Sequence, residues 1–248
     1  MVTSAVISVA AVALEVGSLA LLLRRSLWRV YTLLFIYVLW LLIGNSTLFF
    51  SFLYFPAVYS NLYWQSDTID VILRFLVVWE VFRQTFPKSS RLNRSLSKGL
   101  GIIAFVLLLF ACATFWSYQN YTAFRSIHLA LDRSFGFVQA LMILGTLVTA
   151  RYYGVKCGRN IRGIALAFGA WVSISTATNA MADLDSSFLS YWYYLRPLSF
   201  VVMIGVWIWA LWVYDPNPPI KESESVELRQ WTEDWNRAIS TARTIIRP

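Results

Sequence analysis

Apolar stretches dominate this chain, and they are long enough to cross a membrane. A spanning helix needs about 20 mostly apolar residues for a hydrocarbon layer of about 30 Å. Seven segments meet this requirement, and short polar connections separate them: residues 2–23, 30–55, 63–86, 99–117, 124–152, 163–183 and 191–214. The sequence therefore predicts an all-α membrane protein whose residues 1–214 form a seven-helix transmembrane bundle.

The residues after the seventh segment predict a tail with its own helix. Residues 215–220 form a Pro-rich linker that cannot continue a helix. Within residues 221–248, apolar side chains recur at spacings of three and four: Leu228, Trp231, Trp235, Ile239, Ala242 and Ile246. This pattern predicts an amphipathic helix. It either packs against the membrane surface or the inner loops, or binds a cytoplasmic or membrane protein partner.

The basic residues predict the orientation of the bundle. Connections on one side hold Arg24, Arg25, Arg29, Arg83, Lys88, Arg91, Arg94, Lys98, Arg151, Lys156, Arg159 and Arg162. Those on the other side hold only Arg125, Arg133 and Arg196, among many Tyr and Trp residues. Lys and Arg accumulate in cytoplasmic loops, whereas Trp and Tyr accumulate at membrane–water interfaces. The N-terminus is therefore expected outside and the C-terminus in the cytoplasm.

Composition and charge agree with a membrane protein and exclude several other classes. The 248 residues are 58% hydrophobic and 14% charged, whereas soluble domains carry roughly 25% charged residues. The net charge of +8 lies in membrane connections, so we expect the lipid bilayer and not nucleic acid as a partner. Two Cys and one His form no recognisable metal site, and no cofactor motif is found. The N-terminal apolar run has no basic region before it, so it is expected to remain as the first helix.

The third segment is the most charged of the seven. Asp70 and Arg74 are four residues apart on one helix face and are expected to pair. Glu80 and Arg83, three apart, are expected to form a second pair nearer the cytoplasm. Ionisable groups at membrane depth are costly and usually serve a structural or functional purpose. Either the two pairs hold the bundle together, or Arg74 or Glu80 faces a ligand cavity or a proton path.

Other segments carry further polar candidates. His128 and Asp132 share a face of the fifth segment, and Arg196 opens the seventh with a following proline. Glu15 in the first segment is expected either to pair with an inner base such as Arg83 or to be protonated. The candidate ligand-binding or intramembrane polar residues are Asp70, Arg74, Glu80, His128, Asp132, Arg133, Gln139, Asn179 and Arg196. No metal-binding residue is expected among them.

Two apolar patterns are expected to serve packing. Gly163, Ala167, Gly169 and Ala170 in the sixth segment are small, and small residues permit close contact between helices. In the seventh segment, Trp207, Trp209 and Trp212 are expected to face lipid and the interface. For the sixth segment the alternative is a polar lining of a cavity that includes Asn179.

Four fragments of the chain resemble a family of bacterial seven-helix proteins. They are the YW pair at 63–64 with Glu80 and Arg83, LALDRSFGFVQ at 129–139, RYYGVK at 151–156 and GIALAFG at 163–169. No activity is assigned to that family. The resemblance implies a multi-pass protein of the bacterial cytoplasmic (inner) membrane.

The leading functional hypothesis is a binding or sensory protein that acts through a partner. Polar and aromatic residues at the outer helix ends would form a pocket for a small or lipid-like ligand. One alternative is a membrane-embedded enzyme that uses Glu80 or Asp70 as acid or base on a hydrophobic substrate. The others are a small transporter and an accessory subunit of a membrane complex. The sequence favours a non-enzymatic role.

Overall fold

The computed structural model describes residues 2–86, 121–152, 155–184, 189–215 and 217, and in the tail Gln230, Glu233, Asp234 and Arg237. These residues are all-helical, with six long helices: α1 (Val2–Arg24), α2 (Thr32–Tyr54), α3 (Pro56–Thr85), α4 (Tyr121–Tyr152), α5 (Arg159–Leu184) and α6 (Leu189–Leu211). The predicted fourth segment, residues 99–117, lies outside the described residues.

The six helices pack side by side in chain order and close into a ring. Each helix contacts the next one along the chain, and α6 returns to pack against α1. A further contact joins α3 to α5 across the ring. Side chains that point inward from different helices therefore meet at the centre of the bundle.

The distribution of apolar side chains is that of a membrane protein. Four helices are long and apolar enough to span a membrane, within Thr32–Tyr54, Ser134–Tyr152, Arg159–Met181 and Tyr194–Leu211. Large apolar side chains cover the outside of the bundle; Phe50, for example, is 63% exposed. Charged and amide side chains are buried in its interior instead: Glu15, Arg74, Asp132, Gln139 and Asn179. This distribution of polar and apolar side chains suits a lipid bilayer, in which exposed apolar surface costs no free energy.

Aromatic rings form the centre of the apolar core. Tyr37 of α2 packs edge-on against Phe168 of α5 and Trp207 of α6, with centroids 6.1 Å away in both cases. Phe168 also packs against Trp171, at 5.6 Å between centroids. The prediction that Trp207 faces lipid is wrong: it is fully buried and its indole N–H donates to the carbonyl of Ile164. Trp209 and Trp212 are exposed.

Glycines let α5 approach its neighbours closely. A Cβ atom at Gly163 would overlap the Cβ of Ala210 in α6. A Cβ at Gly169 would lie 3.0 Å from Ile143 of α4. The prediction that small residues in this segment serve helix packing is confirmed at both positions.

The boundaries of α3 and α6 differ from the prediction. α3 begins at Pro56 and not at residue 63, because proline suits the first turn of a helix, where its missing N–H is not needed. Polar residues in this first part of α3 lower its hydropathy without interrupting the helix. α6 ends at Leu211, three residues before the predicted end, because the Asn160 amide donates to the carbonyls of Ala210 and Val213.

The residues after α6 are tied to the start of α5. Asp215 accepts a hydrogen bond from the backbone N–H of Arg159, and Asn217 accepts one from that of Gly158. These bonds satisfy N–H groups that the first turn of a helix leaves free. The Asn217 side chain also donates to the Gln84 carbonyl at the end of α3. The first residues of the predicted linker are thus held against the bundle.

Hydrogen bonds bring the basic connections to one end of the bundle. The Gln84 side chain donates to the carbonyl of Val30, in the connection between α1 and α2. The ends of α3 and α6 and the starts of α2 and α5 therefore meet at the same end. Exposed basic residues lie at this end: Arg24, Arg25, Arg29, Arg83, Lys156 and Arg162.

The predicted tail helix is described at four positions. Gln230, Glu233, Asp234 and Arg237 are helical and exposed. All four belong to its predicted polar face. The apolar face, and with it the predicted amphipathic packing of residues 221–248, lies outside the described residues and stays a prediction.

Candidate functional site

Arg74, near the middle of α3, is the centre of a buried ionic network. Its side chain is 2% exposed. Nε lies 2.8 Å from Oδ2 of Asp70, and Nη2 lies 2.8 Å from Oδ1 of Asp132 in α4. The guanidinium also lies over the Trp171 ring of α5, 5.3 Å from its centroid. The predicted pairing of Asp70 with Arg74 is confirmed, and a second carboxylate joins it.

Asp132 extends the network to α5 and α6. Its second oxygen, Oδ2, accepts a hydrogen bond of 3.0 Å from the Asn179 amide. The same oxygen lies 3.8 Å from Nη2 of Arg196, which is also 3.5 Å from Oδ1 of Asp67. We call Asp67, Asp70, Arg74, Asp132 and Arg196 the charge cluster. Four helices contribute to the network around it, so it joins elements that are distant in sequence.

The charge cluster becomes more exposed toward one end of α3. The side chains of Arg74 and Asp132 are 2–3% exposed, whereas those of Asp67, Asp70 and Arg196 are 14–16% exposed. Tyr63 lies within electrostatic range of Asp67 and Arg196. Its ring is 5.1 Å from that of Trp64. Aromatic side chains therefore border the more accessible end of the cluster.

Several buried polar atoms beside the cluster have no hydrogen-bond partner among the described residues. Gln139 of α4 donates to the Val71 carbonyl at 3.3 Å, but its Oε1 is unpartnered. The Trp171 N–H and Asp70 Oδ1 are also unpartnered. Buried donors and acceptors are normally satisfied, so such atoms are the ones to which a ligand or water can bind.

Glu80 serves a different purpose from the one predicted. Its two carboxylate oxygens accept hydrogen bonds from the backbone N–H groups of Leu33, at 3.1 Å, and Leu34, at 2.8 Å. These groups belong to the first turn of α2, where helix N–H groups lack partners and the helix dipole favours an anion. The expected pair with Arg83 does not form, since Arg83 is exposed. Glu80 could act as a general acid or base only if these hydrogen bonds were broken.

Glu15 is also bound differently from the prediction. Oε1 accepts a hydrogen bond of 2.6 Å from the Asn45 amide of α2. Neither Arg83 nor any other base among the described side chains forms an ion pair with it. The alternative that Glu15 is protonated stays open at this point.

The remaining predicted residues lie outside the description of the site. His128 and Arg133 belong to α4, but their side chains are not among those described. The expected proximity of His128 and Asp132 is therefore untested. The structure instead gives Asp132 partners from three other helices.

Two residues of the site escaped the sequence analysis. Tyr37 and Trp171 both appeared to be ordinary members of apolar segments. Their position was the available signal: Tyr and Trp concentrate at membrane interfaces, and both of these lie well inside a segment. A buried hydroxyl or indole N–H needs a partner, which indicates a nearby polar group.

The arrangement offers charges of both signs, amide groups and aromatic surface, but no metal centre. Among the described residues, no group of three or more His, Cys, Asp or Glu is arranged to hold a metal ion. A carboxylate and a guanidinium side by side can bind the two ends of a zwitterionic or otherwise polar molecule. Comparisons with protein family models, curated proteins and solved structures found no match.

Proposed function

We propose that this chain is a seven-helix protein of the bacterial inner membrane, with its N-terminus outside and its C-terminus in the cytoplasm. The clustering of exposed basic residues at one end of the bundle supports this orientation. Residues 99–117 supply the seventh span. With an odd number of spans, the two termini lie on opposite sides of the membrane.

We further propose that the protein binds a small or lipid-like ligand with a charged polar head at the outer end of the charge cluster, as a binding or sensory protein. The observation that carries this proposal is the gradient of exposure from Arg74 to Asp67 and Arg196. Asp67 and Arg196 at the accessible end present charges of both signs to a polar head group. Aromatic rings beside that end would contact the apolar part of the ligand. The tail helix would report binding to a partner.

Native mass spectrometry of the purified full chain tests this proposal. We expect a small molecule or lipid to remain bound to the wild-type protein and to be lost in Asp67→Asn and Arg196→Gln. Arg83→Gln is the matched control, since it removes an exposed arginine outside the cluster. A bound molecule that both cluster variants retain would contradict a site at this position.

The signalling part of the proposal needs its own test. Residues 221–248 would be deleted, and proteins cross-linked to the full chain and to the deletion variant would be compared. We expect the bundle to insert normally and a specific partner to be lost. An unchanged set of cross-linked partners would contradict a role for the tail.

A small transporter is the second candidate, because polar groups continue beyond the charge cluster to the buried Glu15 and its half-buried partner Asn45. Such a line of groups would provide a path for a proton or a polar substrate. Proteoliposomes loaded with a pH-sensitive dye would test it. Proton movement that Glu15→Gln abolishes and Arg83→Gln leaves unchanged would favour transport over sensing.

A further inference from the structure

Glu15 stands apart from every other described carboxylate in the bundle interior. Its side chain is fully buried, and within the part of the chain that the structure describes the Asn45 amide on Oε1 is its one hydrogen-bond partner. Oε2 is buried and has no partner. By contrast, Asp70 and Asp132 are ion-paired with Arg74, and Glu80 accepts two backbone hydrogen bonds. Among the described residues, Glu15 therefore has neither the ion pair nor the backbone hydrogen bonds that compensate the negative charge of the other three carboxylates.

Tyr37 of α2 faces the same region. Tyr37 is fully buried and its hydroxyl has no hydrogen bond of good geometry. The hydroxyl lies beside the Asp70 carboxylate and within electrostatic range of Glu15. Ser18, one turn along α1 from Glu15, is also buried with an unpartnered hydroxyl. Buried hydroxyl groups of α1 and α2 therefore lie in the same region as Glu15.

Among the described residues, the other elements packed against this part of α1 bring no compensating cation. From α2 the neighbouring groups are Asn45 and Tyr37, and from α3 the nearest titratable group is Asp70, itself acidic. The part of α6 from 201 to 211 contains no titratable side chain. The 3₁₀ turn after α1 carries Arg29, which is exposed and stacks on Trp28.

An ionised carboxylate in these surroundings would be an unpaired charge at membrane depth. Such a charge costs far more free energy than a buried neutral acid, which needs only hydrogen bonds. The observed contacts permit the neutral form, and no N–H or O–H group of the described residues donates to Oε2 to stabilise the ionised one. Asn45 donates to one oxygen, as it would to a carbonyl, and the other oxygen is left to carry the hydrogen.

We propose that Glu15 is a proton-binding site that holds its proton at neutral pH. When the proton leaves, a negative charge appears within electrostatic range of Asp70 and Tyr37. Asp70 is paired with Arg74, so the charge cluster responds to whether the Glu15 site is occupied. The proposal does not depend on the ligand of the cluster, because the proton itself is the bound species.

Infrared spectroscopy of the purified full chain tests the proposal directly. A protonated buried carboxyl group has a C=O stretch that is well separated from the amide bands and from ionised carboxylates. We expect this band in the wild-type protein at neutral pH, and we expect part of it to be missing in Glu15→Gln. Because glutamine keeps the shape of the side chain and its bond to Asn45, this variant should stay folded.

Glu80→Gln is the matched control. It removes another buried glutamate, but one with two N–H donors that favour its ionised form, so the acid band should be unchanged. Identical band intensity in wild type and Glu15→Gln at neutral pH would overturn the proposal. So would a band that disappears on addition of NaCl at constant pH, since Glu15 would then bind a metal cation. Loss of the Glu15 part of the band only as pH rises supports it.

Discussion

Two oppositely charged residues of α3 reach the bundle interior and are stabilised in different ways. Arg74 is compensated by carboxylates from its own helix and from α4, whereas Glu80 is compensated by backbone N–H groups of α2. An ion pair gives a charge a partner that can be removed or titrated. The N–H groups at a helix N-terminus belong to the backbone, so this partner of the charge is neither removed by a side-chain substitution nor titrated. This difference separates a candidate functional group from a structural one.

Replacement of Arg74 should show that the contributions of the cluster residues to stability depend on one another. Arg74→Gln removes the cation that Asp70 and Asp132 share and leaves Asp132 with the more distant Arg196; breaking a buried ion pair costs about 3–5 kcal/mol. Asp132→Asn removes one of these carboxylates, so the double variant should lose less stability than the sum of the single variants. Thermal unfolding in detergent, followed by Trp fluorescence, measures all three. Strictly additive losses would contradict coupling through a shared ion pair.

Replacement of Glu80 should destabilise the start of α2. In Glu80→Gln, only one side-chain oxygen remains for the two N–H groups of Leu33 and Leu34, and the amide N–H₂ faces a donor. A buried unsatisfied donor costs about 1–3 kcal/mol. Hydrogen exchange at the start of α2 should accelerate together with a lower unfolding temperature. Arg83→Gln, one turn away and exposed, should change neither; equal behaviour of the two variants would contradict the capping role.

At the level of single residues, sequence spacing predicted contacts within a helix and missed contacts between helices. Asp70 and Arg74 were predicted to pair because residues four apart share a face. The bond from Arg74 to Asp132 spans 58 positions along the chain and depends on how α3 meets α4. Glu80 was assigned to Arg83 for the same local reason. Its real partners are backbone groups, which no side-chain pattern reveals.

At the level of helices, the positions of small residues determine how closely elements pack. Gly163 faces Ala210 and leaves no room for a Cβ atom, whereas a Cβ at Gly145 would have open space around it. Gly163→Ala should force α5 and α6 apart, because the Cβ atom of Ala210 cannot rotate away. Overpacking of this kind costs about 1–3 kcal/mol.

Gly145→Ala is the control for this packing prediction, since it adds the same methyl group to a helix without a clash. Thermal unfolding should separate the two variants clearly. If Gly163→Ala unfolds at the wild-type temperature, the contact between α5 and α6 is looser than the structure indicates. The small-residue pattern itself was readable from the sequence, but the identity of the opposing residue was not.

For the whole molecule, hydropathy was sufficient to predict a helical membrane protein but not its arrangement. Glu15, Arg74 and Gln139 are buried beside the apolar core while Phe50 and Trp209 face outward, a distribution that suits a lipid solvent. Apolar segments indicate a membrane protein because each of them must be long enough to span the hydrocarbon layer. The sequence did not predict which helices pack against each other. The contact between α6 and α1, for example, closes the ring of helices and depends on the whole assembled bundle.

Cys157 provides a test of the proposed orientation. It lies in the connection between α4 and α5, at the end of the bundle where the basic residues gather, and it is a half-buried free thiol. Burial raises the pKa of this thiol above its usual value, despite a hydrogen bond with Thr85 that acts in the opposite direction. The reactive thiolate should therefore be scarce at neutral pH and should increase as pH rises.

A membrane-impermeant maleimide should thus modify Cys157 slowly, faster at higher pH, and only from the cytoplasmic side. The measurement uses a Cys112→Ser background, in which Cys157 is the single thiol, and compares inside-out with right-side-out vesicles. Protein unfolded in SDS reports the maximum labelling. Modification in right-side-out vesicles alone would mean that the basic end faces outward, and the N-terminus would then be cytoplasmic. A rate in folded protein that equals the SDS rate at every pH would show that the burial of Cys157 does not protect the thiol.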